Sequence, residues 1–276
     1  MPPPLLCPVR DCGAPLRDED RCVACPRGHR FDRAKSGYLN LLQPQERRSR
    51  APGDSAAAAQ ARRRLFDAGI QAPLLAAVRE MIGGLTLPAN AAALDVGCGE
   101  GSLLGRLAAE LGLQACGVDL STPAIDLAAR RFPDATWIVA NADRRLPWAD
   151  GSFDLVLSIL ARLNPHEFRR VLAPGGALLL AVPGQDDLAE LRELLYGKAD
   201  ARDRLGPALE SLQEAGFAPL ARRTARWQAR LDAAGLADVL ALSYRGARQR
   251  ERARMMGIAE LDVTLHAELV ALRRSG

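Results

Sequence analysis

A glycine-rich turn that directly follows a short apolar run restricts the possible folds more than any other segment of this chain. Residues 94–96 lead into Gly97-Cys98-Gly99-Glu100-Gly101, and an amphipathic stretch follows at once. Glycines let the backbone come close to a ligand, and the N-terminus of a following helix offers free N–H groups. The next apolar run, 115–118, ends in Asp119, an acid placed to accept both hydroxyls of a ribose. The pattern therefore predicts a nucleoside site at the end of a strand.

The stretches around this turn alternate between short apolar runs and amphipathic segments. We predict strands at 92–96, 115–118, 136–140, 154–160, 177–182 and 264–273. We predict helices at 54–68, 72–82, 102–111, 123–132, 165–172, 186–196, 207–215 and 229–240. Alternating βα units indicate an α/β fold with a mostly parallel sheet that is covered on both faces. Asn164, Pro165 and Glu167 match a capping box at the start of the 165–172 helix.

The composition excludes two classes of protein. Hydrophobic residues make up 48% of the 276 residues and the net charge is only +4, which disfavours a disordered chain. The longest apolar run, 177–183, is much shorter than the roughly 20 residues of a membrane span. The first residues also lack the basic start and apolar stretch of a secretion signal. We therefore expect a cytoplasmic protein with no membrane partner.

The order Asp-x-Gly-x-Gly-x-Gly, with an acid at the end of the next strand, resembles the class I S-adenosylmethionine-dependent methyltransferases. Segments 146–154 and 172–176 repeat further features of that family in the same order. The resemblance implies a Rossmann-like fold with a seven-stranded sheet and S-adenosylmethionine as cofactor. It implies these cofactor-lining residues: Asp95, Gly97, Gly99, Glu100 and Gly101, with Asp119 at the ribose. A tight turn without a ligand and a nicotinamide site are the alternatives.

Four of the six cysteines lie in the first 25 residues, in a segment with few large apolar side chains. Cys7 and Cys12 form one pair, and Cys25 and His29 form a second pair. Both spacings suit structural tetrahedral zinc, and a bound ion would support a segment that has little core of its own. Cys22 is a fifth candidate that could replace Cys25. The spacing alone leaves that choice open.

A longer motif narrows the resemblance. The sequence from Cys25-Pro26-Arg27-Gly28-His29 to Leu42, followed by 48–55 and 61–69, is similar to the opening of the 23S rRNA guanine-N1-methyltransferases. The resemblance implies zinc ligands Cys7, Cys12, Cys25 and His29. It also implies 23S rRNA as substrate, methylation of a guanine N1 in a hairpin loop, a possible homodimer, and further cofactor contacts near Gln71 and Asp187.

We divide the chain into a zinc-binding RNA-recognition module at 1–45, a linker with helices at 46–90, and a methyltransferase domain at 91–276. The chain departs from the family pattern at 161–163, after the fourth strand, and at 244–248. Methylation of another RNA site or of a small molecule, and RNA binding without catalysis, are therefore the alternatives.

Arginines are concentrated in two parts of the chain. Five lie within 244–254, and a second group lies between the zinc module and the core: Arg47, Arg48, Arg50, Arg62, Arg63 and Arg64. Such groups are typical of contacts with RNA phosphates. The alternatives are a solvated helix face for 244–254 and a solvated linker for the second group.

Overall fold

The computed structural model describes residues 3–46, 52–197, 201–242 and 257–275. The predicted arginines 47, 48 and 50 and the segment 244–254 lie outside these ranges. No helix in the described ranges is long and apolar enough to cross a membrane.

Residues 3–46 form a small antiparallel sheet and then reach the main sheet. Strands β1 (Arg17–Glu19), β2 (Cys22–Ala24) and β3 (Arg30–Asp32) pair in that order. The short strand β4 (Leu39–Asn40) instead pairs in parallel with a strand of the core, and a 3-10 turn follows at Pro44–Glu46. A strand that lies within the predicted 1–45 module therefore attaches the N-terminal segment to the core by backbone pairing. The module boundary at residue 45 stays a prediction.

The remaining elements alternate as the sequence predicts up to residue 216. The helices are α1 (Ala56–Asp67), α2 (Ala72–Gly83), α3 (Ser102–Leu111), α4 (Thr122–Arg131), α5 (Pro165–Val171), α6 (Ala189–Tyr196), α7 (Leu205–Glu214) and α8 (Ala233–Leu242). The strands are β5 (Ala92–Val96), β6 (Gln114–Asp119), β7 (Thr136–Val139), β8 (Phe153–Ile159), β9 (Leu172–Pro183), β10 (Phe217–Asp232) and β11 (Glu260–Arg274). Local chemistry sets several boundaries: Ser55 and Ser121 cap α1 and α4 with their hydroxyls, and Gly112 ends α3 in a left-handed conformation.

The main sheet has the order β10-β11-β9-β8-β5-β6-β7-β4. The strands from β4 to β9 are parallel to their neighbours, whereas β11 runs antiparallel to both β9 and β10. The predicted mostly parallel sheet is confirmed, and β4 adds an eighth strand to the seven expected. Helices cover both faces, with Leu74 and Leu104 in the core on one face and Phe168 and Leu212 in the core on the other.

Two local predictions were wrong. The predicted 229–240 helix begins only at Ala233, because the preceding residues complete β10, a strand that the sequence analysis did not predict. The capping box is also absent, although the helix begins at Pro165 as predicted. Asn164 donates its side-chain amide to the Ala142 carbonyl at 2.8 Å. The Glu167 carboxylate accepts from the Leu146 backbone N–H at 2.7 Å instead of capping the helix.

Candidate cofactor cavity and zinc centre

The glycine turn after β5 is held against the end of β6. The backbone N–H groups of Gly97 and Cys98 both donate to the Val118 carbonyl, at 2.8 and 3.2 Å. Gly101 has a φ of 78°, and a Cβ there would lie 2.6 Å from the indole of Trp137. A side chain at this position would thus be strained and would collide with the core, which explains the glycine. The chain therefore enters α3 packed closely against the core.

Asp119 lies beside this turn with a fixed orientation. Its Oδ2 accepts a hydrogen bond from the Gly99 N–H at 2.9 Å, and its Oδ1 accepts one from the Ser121 N–H at 2.8 Å. Burial raises the pKa of this carboxyl, and the two backbone N–H groups oppose that rise. Each carboxylate oxygen keeps a free lone pair, so the group can still accept hydrogen bonds from two ribose hydroxyls.

A cavity of about 760 Å³ opens between the glycine turn and the ends of the parallel strands. This volume suits a nucleoside cofactor, since small-molecule sites span roughly 300–1,000 Å³. The described residues that line it are Glu46, Pro52, Gly53, Asp54, Arg62, Val96, Gly97, Gly99, Asp119, Leu120, Asn141, Ala142, Asp143, Ile159, Leu160, Ala161 and Arg162. The structure thus brings three predicted cofactor residues, Gly97, Gly99 and Asp119, to one cavity.

The other predicted cofactor residues lie elsewhere. Asp95 and Glu100 are each 3% exposed and lie behind the turn, where Glu100 accepts a hydrogen bond from the Ser102 hydroxyl at 2.6 Å. Burial, with a smaller contribution from the charge of Asp119, raises the pKa of Asp95 to about 7. Gly101 packs on Trp137 as described above.

Gln71 and Asp187 are also absent from the described lining of this cavity. Gln71 occupies the N-cap position of α2 without a side-chain cap hydrogen bond. The Asp187 carboxylate accepts a hydrogen bond from the His266 backbone N–H at 3.0 Å.

Several lining residues were not predicted as part of the site. Asn141 and Asp143 follow β7 directly, and Asp54 precedes α1. The first two could have been found, because the carboxyl ends of neighbouring parallel strands meet at one edge of a sheet. Asp54 could not, since the path of the chain before α1 has no local signal.

A second cluster lies in the N-terminal segment. The Sγ atoms of Cys7, Cys12 and Cys25 and a ring nitrogen of His29 all lie within 4.8 Å of one another. The His29 Nδ1 is 3.4 Å from the Sγ of both Cys7 and Cys25, and the Sγ atoms of Cys12 and Cys25 are 3.8 Å apart. Four ligands in a tetrahedron with bonds of about 2.3 Å would stand about 3.8 Å apart. The donor set and its spacing therefore fit a structural zinc ion with no open position.

Backbone hydrogen bonds between near neighbours in the sequence form the turn that carries Cys25 and His29. The Cys25 N–H donates to the His29 carbonyl at 3.0 Å, and the Gly28 N–H donates to the Cys25 carbonyl at 2.9 Å. Burial acts to raise the pKa of the Cys25 thiol, but hydrogen bonds to the backbone at His29 and Arg27 outweigh it, and the pKa falls to about 6. A lowered thiol pKa favours the thiolate that binds metal, but burial raises the pKa of the Cys7 thiol to about 12. The fit to zinc therefore rests on the donor set and its spacing.

Cys22 lies outside this cluster. Its Sγ contacts the Glu19 carboxylate at 3.6 Å and the Arg30 guanidinium at 3.4 Å, within the small antiparallel sheet. The structure therefore groups Cys25, and not Cys22, with the other three candidate ligands.

The strand order, the glycine turn and the carboxylate at the end of β6 define a class I S-adenosylmethionine-dependent methyltransferase, here with a structural zinc ribbon. Residues 93–176 match the methyltransferase domain family model, and residues 5–50 match the model of the RlmA N-terminal zinc ribbon. The fold is similar to that of a Bacillus halodurans C-125 protein (TM-score 0.52) and of the YcgJ protein from Bacillus subtilis (TM-score 0.51). Each is 16% identical to this chain and covers 71% of it, and the match spans 98% and 97% of those chains.

A relative covers the whole chain. The 23S rRNA (guanine(748)-N(1))-methyltransferase of Streptomyces fradiae is 36% identical over 98% of this chain and 96% of its own length. The chain belongs to the 23S rRNA (guanine-N1)-methyltransferase family.

Proposed function

We propose that this protein transfers a methyl group from S-adenosylmethionine to N1 of a guanine in a hairpin loop of 23S rRNA. The family supports the substrate, and one geometric observation supports the way in which it reaches the cofactor. A groove of about 470 Å³ runs between the zinc module and the core. Glu46 and Asn141 line both this groove and the cofactor cavity. RNA held against the zinc module could therefore extend a base directly into the cavity.

Separate groups of residues would hold the cofactor and the zinc ion. Asp119 would accept hydrogen bonds from the ribose hydroxyls, the turn at Gly97 and Gly99 would hold the methionine part, and Cys7, Cys12, Cys25 and His29 would bind zinc. Bound S-adenosylmethionine supplies an electrophilic methyl carbon. The cavity serves to hold the base at attack distance and in line.

The acceptor atom imposes two further requirements. Guanine N1 carries a proton on the Watson–Crick edge, so the base has to be unpaired or flipped out before it reacts. A group of the protein must also act as a general base and accept that proton. Glu46 and Asp143 are lining carboxylates that could do so. Asp143 also forms an ion pair with Arg162 at 3.2 Å.

Several wider expectations rest on the same family membership. A ribosomal RNA substrate supports a cytoplasmic location. We also propose that the protein can form a homodimer, which sedimentation analysis of the zinc-loaded chain would test.

The direct test is to map the methyl group. Unmodified 23S rRNA is incubated with labelled S-adenosylmethionine and then used as a template for reverse transcription, which stops at N1-methylguanine because its pairing edge is blocked. A matched reaction contains S-adenosylhomocysteine in place of the methyl donor. One new stop at a hairpin guanine supports the proposal. A stop elsewhere, label in small molecules alone, or cofactor binding without transfer would each contradict it.

A further inference from the structure

One arginine of α1 lies against the glycine turn of the cofactor cavity. A Cβ placed on Gly99 would be 3.2 Å from Cδ and 3.3 Å from Nε of Arg62. The side chain of Arg62 therefore crosses the face of the turn, and it lines the cavity. By its place in the sequence, Arg62 belongs to a group of arginines expected to contact RNA phosphates.

The hydrogen bonds of Arg62 are incomplete. Its Nη2 donates to Asp54 Oδ2 at 2.7 Å, but its buried Nε has no hydrogen-bond partner among the residues that the structure describes. Arg64 lies two residues further along the same helix, and its Nε has a hydrogen-bond acceptor. Its Nε and Nη2 donate to the two oxygens of Asp238 at 2.9 and 2.5 Å. A buried donor without an acceptor costs about 1–3 kcal/mol, so the Nε of Arg62 points to an acceptor that a ligand supplies.

The charges of the cavity indicate what that acceptor is. Four of the described lining side chains are carboxylates, those of Glu46, Asp54, Asp119 and Asp143. Two are cations, and Arg162 is 80% exposed and paired with Asp143. S-adenosylmethionine carries two positive groups, which suit the carboxylates, and a single carboxylate, which would be repelled by them. A guanidinium at the turn resolves this conflict, because its planar fork matches a carboxylate.

We propose that Arg62 binds the carboxylate of the methionine part of S-adenosylmethionine and that Asp54 holds the guanidinium in place for this contact. The inference rests on the proposed function, since it presupposes this cofactor. It moves Arg62 from the predicted RNA contacts to the cofactor site. The segment before the core then contributes a cofactor-binding group of its own.

The experiment compares two ligands that differ in one group. Calorimetry measures the binding of S-adenosylmethionine and of decarboxylated S-adenosylmethionine to the zinc-loaded full chain and to Arg62→Ala. We expect the variant to lose about 10- to 100-fold in affinity for S-adenosylmethionine and less than about twofold for the decarboxylated ligand. Arg79→Ala is the matched control, because Arg79 is a helical arginine in an ion pair with Glu110 and neither residue is among the described residues that line the cavity. This variant should bind both ligands like the wild type.

The outcomes separate the two proposals. If Arg62→Ala still binds both ligands and loses the same measurable factor for each, the role of Arg62 is overturned while the methyltransferase assignment stays in place. If Arg62→Ala binds neither ligand, Arg62→Lys decides, since a selective loss for S-adenosylmethionine supports the contact and an equal loss contradicts it. A wild-type chain that binds neither ligand would overturn the proposed function and this inference together.

Discussion

Replacement of Asp95 by asparagine should change how the stability of the protein depends on pH. Asp95 lies in β5, is 3% exposed, and has its pKa raised to about 7 by burial and by the neighbouring charge of Asp119. Asparagine has the same shape but no charge at any pH. The substitution therefore removes the cost of a buried carboxylate without opening a cavity.

The sign follows from the proton that the folded state retains. An unfolded aspartate has an ordinary pKa of 3.8, whereas the folded group titrates near 7. Between these values the folded protein holds a proton that the unfolded chain has released. The free energy of unfolding of the wild type should thus fall as the pH rises from about 4 to about 7, and the fall should be complete above the folded pKa.

The magnitude follows from the interval between the two pKa values. Each pH unit in which only the folded state is protonated is worth 1.36 kcal/mol. Between pH 5 and pH 8 this contribution sums to about 3 kcal/mol. Asp95→Asn should therefore gain about 3 kcal/mol relative to the wild type when the pH is raised from 5 to 8.

Urea unfolding without cofactor, followed by circular dichroism at pH 5 and pH 8, measures this difference. The comparison with the wild type at each pH removes the titration of zinc ligands and of other acids. Asp134→Asn is the matched control, because Asp134 is exposed, and its difference from the wild type should stay constant with pH. A difference for Asp95→Asn that changes by less than about 0.5 kcal/mol would refute the reasoning.

Three further predictions concern zinc, ribose and packing. Cys25→Ser should release the zinc ion and unfold the small sheet, whereas Cys22→Ser should retain about one zinc per chain; equal metal content in the two variants would contradict the ligand set. Asp119→Ala should weaken S-adenosylmethionine binding by about 1.5–3 kcal/mol in calorimetry, and an unchanged affinity would exclude the ribose contact. Gly117→Ala places a Cβ 2.3 Å from the Trp137 ring, so thermal melting should show a loss of about 1–3 kcal/mol, and an unchanged melting temperature would contradict this packing.

The parallel strands β5 to β9 could be predicted because their signals are local. Each contains a short buried apolar run. The parallel strand β4 is only two residues long and was not predicted. The edge strand β10 has a strand signal only in its second half. Apolar and polar residues alternate from Ala225 to Asp232 as in a half-buried strand, whereas residues 218–224 are all exposed. The predicted 229–240 helix overlapped this alternating stretch. Pairing with β11 along its whole length determines its conformation, and that pairing is distant in sequence.

The capping box failed for a related reason. The spacing of Asn164 and Glu167 is correct for a cap, but the loop before β8 offers each of them a competing partner. The spacing of two residues shows which hydrogen bonds they could form within a helix. It does not show which tertiary partners compete for the same side chains. The choice between Cys22 and Cys25 was open for the same reason, since both spacings are compatible with zinc.

The contacts between the zinc module and the core determine how much of the chain should unfold when zinc is lost. Leu39 and Leu41 are fully buried in the main core, and the Leu41 N–H donates to the Val139 carbonyl at 2.9 Å. These contacts depend on β7 and not on the metal, so unfolding that begins at Cys25 should stop before β4. Cys7 and Cys12, however, line the groove that meets the cofactor cavity at Glu46 and Asn141. Loss of zinc should therefore disrupt the groove that is proposed to hold the RNA. The cofactor cavity is built on the strand ends of the core and should still bind its ligand.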